Sequence, residues 1–378
     1  MESPRDSDTR PVADADAGST PASDTRDREF MRRALALAER GAGQVAPNPK
    51  VGAVIVRDGV VVAEGWHARY GDEHAEAMAL RVAGAGAQGA TVYVTLEPCN
   101  HHGKTPPCAA ALVAAGVARV VYAVADPGAH EGGGAITLAN AGVEVNAGVL
   151  GAEAAEVNAP FFFAAAAAAR PFVTLKLALS VDGAIVGADR KRTWLTGPES
   201  RTAVHALRAD ADAVAVGSGT ALCDDPELTV RDVPAPRIPP MRVVFDRSAR
   251  LPLGSTLVRT AREVPVVLVT DGRHPDSERL LEAQGVTLIR ADGLASALAE
   301  LRARGVRHLL VEGGATLASA LVAAGTVDRL ISFQAPVILG SGALAAFASL
   351  PAAHRLTVVS RREYGPDLMT VHRFESRS

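Results

Sequence analysis

The sequence predicts two α/β domains in tandem, and three observations predict it. From Phe30 onward, short β-branched runs alternate with helical stretches, the rhythm of a layered domain whose sheet is largely covered. Near the middle, the alanine tract Ala164 to Ala169 ends at Arg170-Pro171, a helix stop, and the same rhythm then starts again. The length of 378 residues leaves room for two domains at roughly 150 residues each. The expected divisions are a polar leader over 1–29, a first domain over 30–170 and a second over 171–378.

Each element has a local reason. Met31 to Arg40 reads as a helix that Gly41 and Gly43 end, and Pro47-Asn48-Pro49 makes a rigid turn. Val51 to Val56 is a β-branched run, and Gly59 turns it into a second strand from Val60. His74 to Val82 has helical composition, Thr91 to Thr95 is strand-like, and Cys108 to Ala115 is helical again. Arg119 to Ala125 supplies another strand, and a short one begins at Glu144. In the second half, strands are expected at Phe172 to Ala178, Ala213 to Val216, Arg242 to Phe245, Pro265 to Val269, His308 to Val311 and Arg329 to Phe333. Helices fit between them at Pro198 to Arg208, Leu294 to Arg304 and Thr316 to Ala324.

Composition excludes several functions. Hydrophobic residues at 48% and charged residues at 21% suit a globular chain rather than a disordered one. Lys plus Arg is 39 and Asp plus Glu is 42, so the net charge is 39 − 42 = −3, without the basic excess of a nucleic-acid binder. Aromatics at 4% argue against a base-stacking platform. The longest apolar run, Ala159 to Ala169, is about half the roughly 20 residues that cross a bilayer. Residues 1–29 are polar, with no apolar h-region, and read as a disordered leader. Three cysteines make no disulfide framework, and two of them lie beside histidines, which suggests a reducing compartment. A cytoplasmic homo-oligomer acting on small molecules, away from nucleic acid and membrane, is expected.

The most informative stretch is His74-Ala75-Glu76, followed by Glu97-Pro98-Cys99 and Cys108. One imidazole and two thiolates suit a catalytic zinc, which takes three protein ligands and leaves its fourth position for water. Glu76, two residues beyond His74 at the start of one helix, can face that water without binding the metal, and can move its proton to a leaving amine. Pro106-Pro107 precede Cys108 as a helix start would have them, and the positive end of that helix would help hold Cys108 as thiolate. Other readings of the same residues are two small buried cysteines, or a closed structural zinc site that recruits His101 or His102. The order H-x-E, then P-C, then C is that of the zinc deaminases, here with eight residues between the cysteines instead of two.

The longer spacing narrows the family. The run from Glu97 to Cys108, with Pro47-Asn48-Pro49-Lys50-Val51-Gly52 and Gly65-Trp66-His67, closely resembles the bacterial riboflavin-biosynthesis pyrimidine deaminases. The resemblance extends over nearly everything after Phe30, to the bifunctional riboflavin-pathway deaminase–reductases. It implies a cytidine-deaminase-like three-layer α/β/α domain followed by a dihydrofolate-reductase-like α/β domain. It also implies that Asn48, His67, His101, Lys104 and Thr105 hold a phosphorylated pyrimidine substrate. The loop Asp126-Pro127-Gly128-Ala129-His130-Glu131-Gly132 is less like the family.

The second domain lacks G-x-G-x-x-G. It has instead Glu312-Gly313-Gly314-Ala315-Thr316 and Val216-Gly217-Ser218-Gly219-Thr220, two strand–glycine–helix turns of a kind that lets a backbone approach a phosphate. Lys176, Ser180-Val181-Asp182-Gly183, Trp194-Leu195-Thr196-Gly197 and the run Asp224 to Arg231 resemble the family's reductase half, which uses NADPH. By that resemblance Ala178, Trp194, Thr220, Asp224, Gly314, Ala315, Thr316 and Leu317 line the cofactor. Lys176, Arg208, Leu228, Arg231 and Glu312 hold the substrate. Asp189-Arg190-Lys191-Arg192 departs from the family's small polar run, so no substrate role is carried over to Arg192. Two rival readings are a nucleoside or tRNA deaminase with an unrelated appendage, and a zinc-stapled binding module with no activity.

Overall fold

The computed structural model describes residues 21–101, 106–128, 132–191 and 193–375. Among them, the first domain's sheet has five strands: β1 (Gly52–Arg57), β2 (Val60–Trp66), β3 (Thr91–Val94), β4 (Arg119–Tyr122) and β5 (Glu144–Ala147), in the order β2-β1-β3-β4-β5. β1 runs antiparallel to both neighbours, while β3, β4 and β5 are parallel. Side chains alternate between two cores. Ala53, Ile55, Val92 and Val94 face helices Ala75–Ala83, Cys108–Ala114 and Gly134–Asn140 on one side. Val54, Val56, Tyr93 and Val121 face Met31, Ala34, Leu37 and Ala154 on the other. Covering both faces is why these strands read as apolar runs without alternation.

The N-terminal helix starts well before Phe30. It spans Pro21–Ala38, so the leader expected over 1–29 is too long by its last part. Asp27 explains the difference. It is buried, accepts a 2.7 Å hydrogen bond from the Tyr93 hydroxyl and pairs with the Arg119 guanidinium at 2.7 Å, which fastens the helix to β3 and β4.

In the second domain the strands are β6 (Phe172–Leu179), β7 (Ala184–Val186), β8 (Ala213–Gly217), β9 (Met241–Phe245), β10 (Val266–Thr270), β11 (Thr287–Arg290), β12 (His308–Glu312), β13 (Arg329–Gln334), β14 (Leu344–Ala345), β15 (Leu356–Tyr364) and β16 (Asp367–Phe374). Nine of these form one sheet in the order β11-β10-β9-β8-β12-β6-β13-β16-β15, and β7 pairs with β14. From β11 to β13 all neighbours are parallel; the β15–β16 hairpin adds an antiparallel edge. The chain moves outward from β8 to β11 and then returns to insert β12 between β8 and β6. In an open parallel sheet, the crevice at the carboxyl ends of strands where the order reverses is where ligands bind.

The C-terminal hairpin was not legible in the sequence, because Leu356–Tyr364 is mostly exposed and carries Arg361 and Arg362 rather than an apolar run. It positions the site all the same. Asp367 is buried at its turn and accepts from Gly197 N at 2.7 Å and Ser200 Oγ at 2.6 Å, securing the start of helix Pro198–Ala209. Among the described residues no helix is long and apolar enough to cross a membrane.

Candidate active sites

The first site forms where three elements of the first domain meet. His74 is the N-cap of helix Ala75–Ala83, Cys99 follows β3 in a loop, and Cys108 opens helix Cys108–Ala114. Gly65 on β2 allows the first helix to sit where it does: a Cβ there would fall 2.2 Å from the Ala75 carbonyl oxygen. Every side chain but hydrogen would push His74 and Glu76 away from the sheet.

The ligating atoms of His74, Cys99 and Cys108 lie within 4.8 Å of one another. His74 Nδ1 is 3.5 Å from Cys99 Sγ and 3.3 Å from Cys108 Sγ. A tetrahedral zinc with bonds of about 2.1 Å to nitrogen and 2.3 Å to sulfur separates these atoms by about 3.6 Å. The donor set therefore fits the ion in both type and spacing.

Thiol electrostatics differ from the expectation for Cys108. The first N–H of helix Cys108–Ala114 donates to Cys99 Sγ at 3.3 Å, so the helix end serves Cys99. A hydrogen bond from the Cys108 thiol pulls the Cys99 thiol down to about 4, with His74 adding to it against the effect of burial. The same bond, with burial, pushes Cys108 up. Two adjacent thiols share one negative charge here, and a divalent cation would favour ionising both. Glu76 is 4% exposed, and burial raises its carboxyl to about 7.

A cleft of about 450 Å³ opens onto these groups. Asn48, His67 and His101 line it beside His74, Glu76 and Cys99. Asn48 Nδ2 lies 3.4 Å from His67 Nε2, and His67 Nδ1 lies 3.1 Å from the Glu73 carbonyl oxygen. Burial lowers the pKa of His67, which favours the neutral ring. Lys104, Thr105 and His102 lie outside the described residues, as do Ala129, His130 and Glu131. The sequence reading missed Tyr70, Asp72, Asp126 and Phe161, which also line the cleft. Phe161-Phe162-Phe163, three aromatics together in a chain with few, was the one signal available for that wall.

Glu97 was read only as part of the cysteine motif. Its buried carboxylate accepts from the backbone N–H groups of Asp126 (3.3 Å), Gly133 (3.1 Å) and Ala135 (3.1 Å). It thereby ties the Asp126–Gly128 wall of the cleft to the loop that bears Cys99.

The second site lies at the carboxyl ends of β6, β8 and β12. Lys176 and Glu312 are register partners on neighbouring strands, with Nζ and Oε2 4.0 Å apart. Arg208, in the last turn of helix Pro198–Ala209, engages both Glu312 oxygens and donates from Nη1 to the Thr229 carbonyl at 2.9 Å. Burial would raise the Glu312 carboxyl, but Arg208 and then Lys176 override it and hold it below its usual range. Burial lowers Lys176, which Glu312 partly offsets. Arg231 is exposed and pairs with Glu227 at 3.0 Å, while its backbone N–H donates to His205 Nδ1 at 3.2 Å. Leu228 is 2% exposed and packs in the core beneath the sheet, so it can meet a ligand through its backbone alone.

The two strand–glycine–helix turns sit side by side on β8 and β12. Gly314 has φ −76° and ψ 169°, and Gly217 has φ −82° and ψ 162°, conformations open to any residue. Space is what glycine supplies at Gly314, since a Cβ there would lie 3.3 Å from Thr220 Oγ1. A cradle that a Cβ would fill, at the N-terminus of helix Ala315–Ala323, fits a dinucleotide phosphate. Leu317 is largely buried against the Gly217 turn, whereas Trp194 is 63% exposed with the Arg201 guanidinium 5.2 Å from its ring centroid. Ala178 lies near the end of β6, opposite Phe333 of β13, and Asp224 ends helix Ser218–Asp224. Arg192 lies outside the described residues.

Comparison with known proteins finds two family matches in the chain. Residues 24–124 match the cytidine and deoxycytidylate deaminase zinc-binding region, and residues 171–370 match the RibD C-terminal domain. Fold and sites together thus define a zinc-dependent deaminase joined to a reductase. The chain is 41% identical to the riboflavin biosynthesis protein RibD of Aquifex aeolicus, over 84% of this chain and 88% of that one. It is 39% identical to RibD of Escherichia coli, over 91% and 98%. Acinetobacter baumannii RibD superposes with a TM-score of 0.76 at 37% identity, covering 93% of this chain and 100% of that one. The Thermotoga maritima diaminohydroxyphosphoribosylaminopyrimidine deaminase/5-amino-6-(5-phosphoribosylamino)uracil reductase gives 0.77 at 34% identity, covering 93% and 99%. The chain belongs to the RibD family of riboflavin-biosynthesis proteins.

Proposed function

We propose that this enzyme deaminates 2,5-diamino-6-(5-phosphoribosylamino)pyrimidin-4(3H)-one in its first domain and reduces the resulting aminouracil's ribosyl group to ribityl in its second. The observation that carries the reading is the single cleft holding a zinc-type donor set, a buried carboxylate and pyrimidine-sized space. Zinc bound by His74, Cys99 and Cys108 supplies a Lewis acid that brings the pKa of water toward neutrality. Glu76, with a carboxyl near pH 7, both accepts the proton of the attacking water and returns it to the departing amino nitrogen. One water is consumed and one ammonia leaves. Asn48 can read the pyrimidine edge, since its amide both donates and accepts, and neutral His67 orients that amide.

In the second domain, bound NADPH would supply a hydride for C1′ of the ribosylamino group, and a proton would complete the reduction at nitrogen. Gly314 and the helix that follows it take the cofactor's phosphate. Lys176, Arg208 and Glu312 form a half-buried polar cluster that holds the sugar. Arg208 already directs three of its five N–H groups to Glu312 and Thr229, so Arg231, with an exposed guanidinium, is the freer partner for the substrate's phosphate. Anaerobic incubation with the diaminopyrimidine phosphate and NADPH tests the whole sequence. One ammonia and one oxidised NADPH per substrate are expected, with ammonia appearing first. Ammonia without NADPH oxidation would leave the second half of the reading without support.

A further inference from the structure

Arg237 belongs to the second domain, yet one of the groups it holds, Tyr70, lines the deaminase cleft, and the others lie in the stretch that leads into Asn48. Its backbone N–H donates to the Gly43 carbonyl at 2.8 Å, and its guanidinium donates to the Ala46 carbonyl. The same guanidinium lies over the Tyr70 ring, 4.9 Å from the centroid. Beside it, Gln44 Nε2 donates to the Ala235 carbonyl at 2.8 Å. A planar guanidinium can donate in its plane and stack on a ring at once, which an ammonium cannot.

What Arg237 grips is one connected unit. Tyr70 N donates to the Gln44 carbonyl at 3.1 Å, and Asn48 N donates to the Val45 carbonyl at 2.9 Å. Both Tyr70 and Asn48 line the cleft. Asp210 of the second domain adds a further hold, accepting from Gly43 N at 3.3 Å and Lys50 Nζ at 2.5 Å. On the loop's own side, Lys50 is fixed by its backbone N–H and carbonyl, each 2.8 Å from the buried Asn158 amide. The stretch from Gly43 to Ala46 is held within its own half by Gln44 N and Val45 N, which donate to the Gly41 carbonyl at 3.0 and 3.3 Å, and in addition by groups of the reductase half at Gly43, Gln44 and Ala46.

We propose that Arg237 is a positioning residue for deamination: a side chain of the reductase half that sets where Asn48 and Tyr70 stand around the pyrimidine. The proposal rests on the deaminase reading of the cleft. His74, Glu76, Cys99 and Cys108 sit on other elements, so loss of Arg237 disturbs substrate binding and leaves proton transfer in place. The segment that carries Arg237 begins at Leu228 and Arg231, so one stretch of chain borders both sites.

The test uses the full-length, zinc-loaded enzyme, with ammonia release measured over a range of substrate concentrations. Arg237→Ala is expected to raise KM about tenfold with kcat within about twofold, the signature of lost ground-state binding. Zinc content and NADPH-dependent reduction of supplied aminouracil substrate should be unchanged. Arg237→Lys, which keeps the charge and a donor but cannot engage the Ala46 carbonyl and the Tyr70 ring together, should recover part of the loss. An unchanged KM in Arg237→Ala overturns the proposal, as does an equal fall of both activities in the two variants. If Arg237→Ala does not fold, Gln44→Ala should raise KM in the same direction by a smaller factor, and an unchanged KM there overturns it equally. A wild-type enzyme that releases no ammonia overturns the deaminase reading itself, and this proposal with it.

Discussion

At the scale of single residues, the first site separates metal binding from proton transfer. Cys99 and Cys108 approach His74 closely and share a charge, while Glu76 is buried next to them without belonging to the donor set. Cys99→Ser or Cys108→Ser should therefore strip zinc and deamination together. Glu76→Gln should keep the metal and lower kcat by roughly 10²–10⁴, the worth of a general acid–base. Metal analysis alongside ammonia release decides this; a fully metallated Cys99→Ser, or an active Glu76→Gln, would mean that the roles are held by other groups. His74 and Glu76 keep their relation because they begin one helix, so this part was legible from spacing alone. The direction of the helix N–H was not. Sequence placed it at Cys108, and the fold sends it to Cys99 Sγ, because the loop from Glu97 brings Cys99 over the end of that helix.

At the scale of elements, the second site depends on two turns, and at Gly314 the glycine is there for space. Gly314 could hold any residue by its φ and ψ, but a side chain would press on Thr220 Oγ1. Gly314→Val puts two methyl groups into that gap. It should weaken NADPH binding by at least about tenfold, roughly 1.4 kcal/mol, while ammonia release continues unaltered from the other domain. A titration followed by nicotinamide fluorescence reads this directly; an unchanged affinity would make the turn architectural and move the cofactor's phosphate elsewhere. Helix Pro198–Ala209 makes a similar point about reach. Its start is fastened by Asp367 from the C-terminal hairpin, and its last turn delivers Arg208 to Glu312. Strand registers such as Lys176 opposite Glu312 lie 136 positions apart in the chain, and only the parallel sheet makes them neighbours.

Across the whole molecule, the contact between the two halves carries buried titratable groups. His308 Nδ1 lies 3.1 Å from the Asp210 carbonyl oxygen and its Nε2 lies 2.9 Å from Thr174 Oγ1, while the Asp210 carboxylate reaches Lys50 in the first domain. Burial lowers the pKa of His308, against the favourable charge of Asp210. With a lowered value, the folded protein binds fewer protons than the unfolded chain below about pH 6.5. Stability from this group is thus complete above that pH and is lost as the pH falls toward the folded pKa, by up to about 1.4 kcal/mol per pH unit. Thermal unfolding between pH 7 and pH 5 should show Tm falling, with a shallower slope in His308→Gln. Equal slopes would place the titrating group elsewhere.

The sequence by itself determined many of the strands and helices, the zinc-type ligands and the glycine turns, because each is carried by local pattern or by residue type at short spacing. Asn48, His67 and His101 were also legible, through motif resemblance, and the cleft gathers all three. What only the tertiary structure decided lies across long separations in the chain. Asp27 turned a supposed leader into an anchored helix through Tyr93 and Arg119, a pairing that local composition cannot register. Leu228 was expected at the substrate, and packing sent its side chain into the core. Arg208 was expected at the substrate, and the sheet gave it the Glu312 carboxylate first. Tyr70, on the wall of the deaminase cleft, meets Arg237 of the other domain. Hydrophobic periodicity and metal-ligand chemistry are written into neighbouring residues, whereas an ion pair or a stacked ring depends on where the whole chain puts its ends, and that is settled by packing.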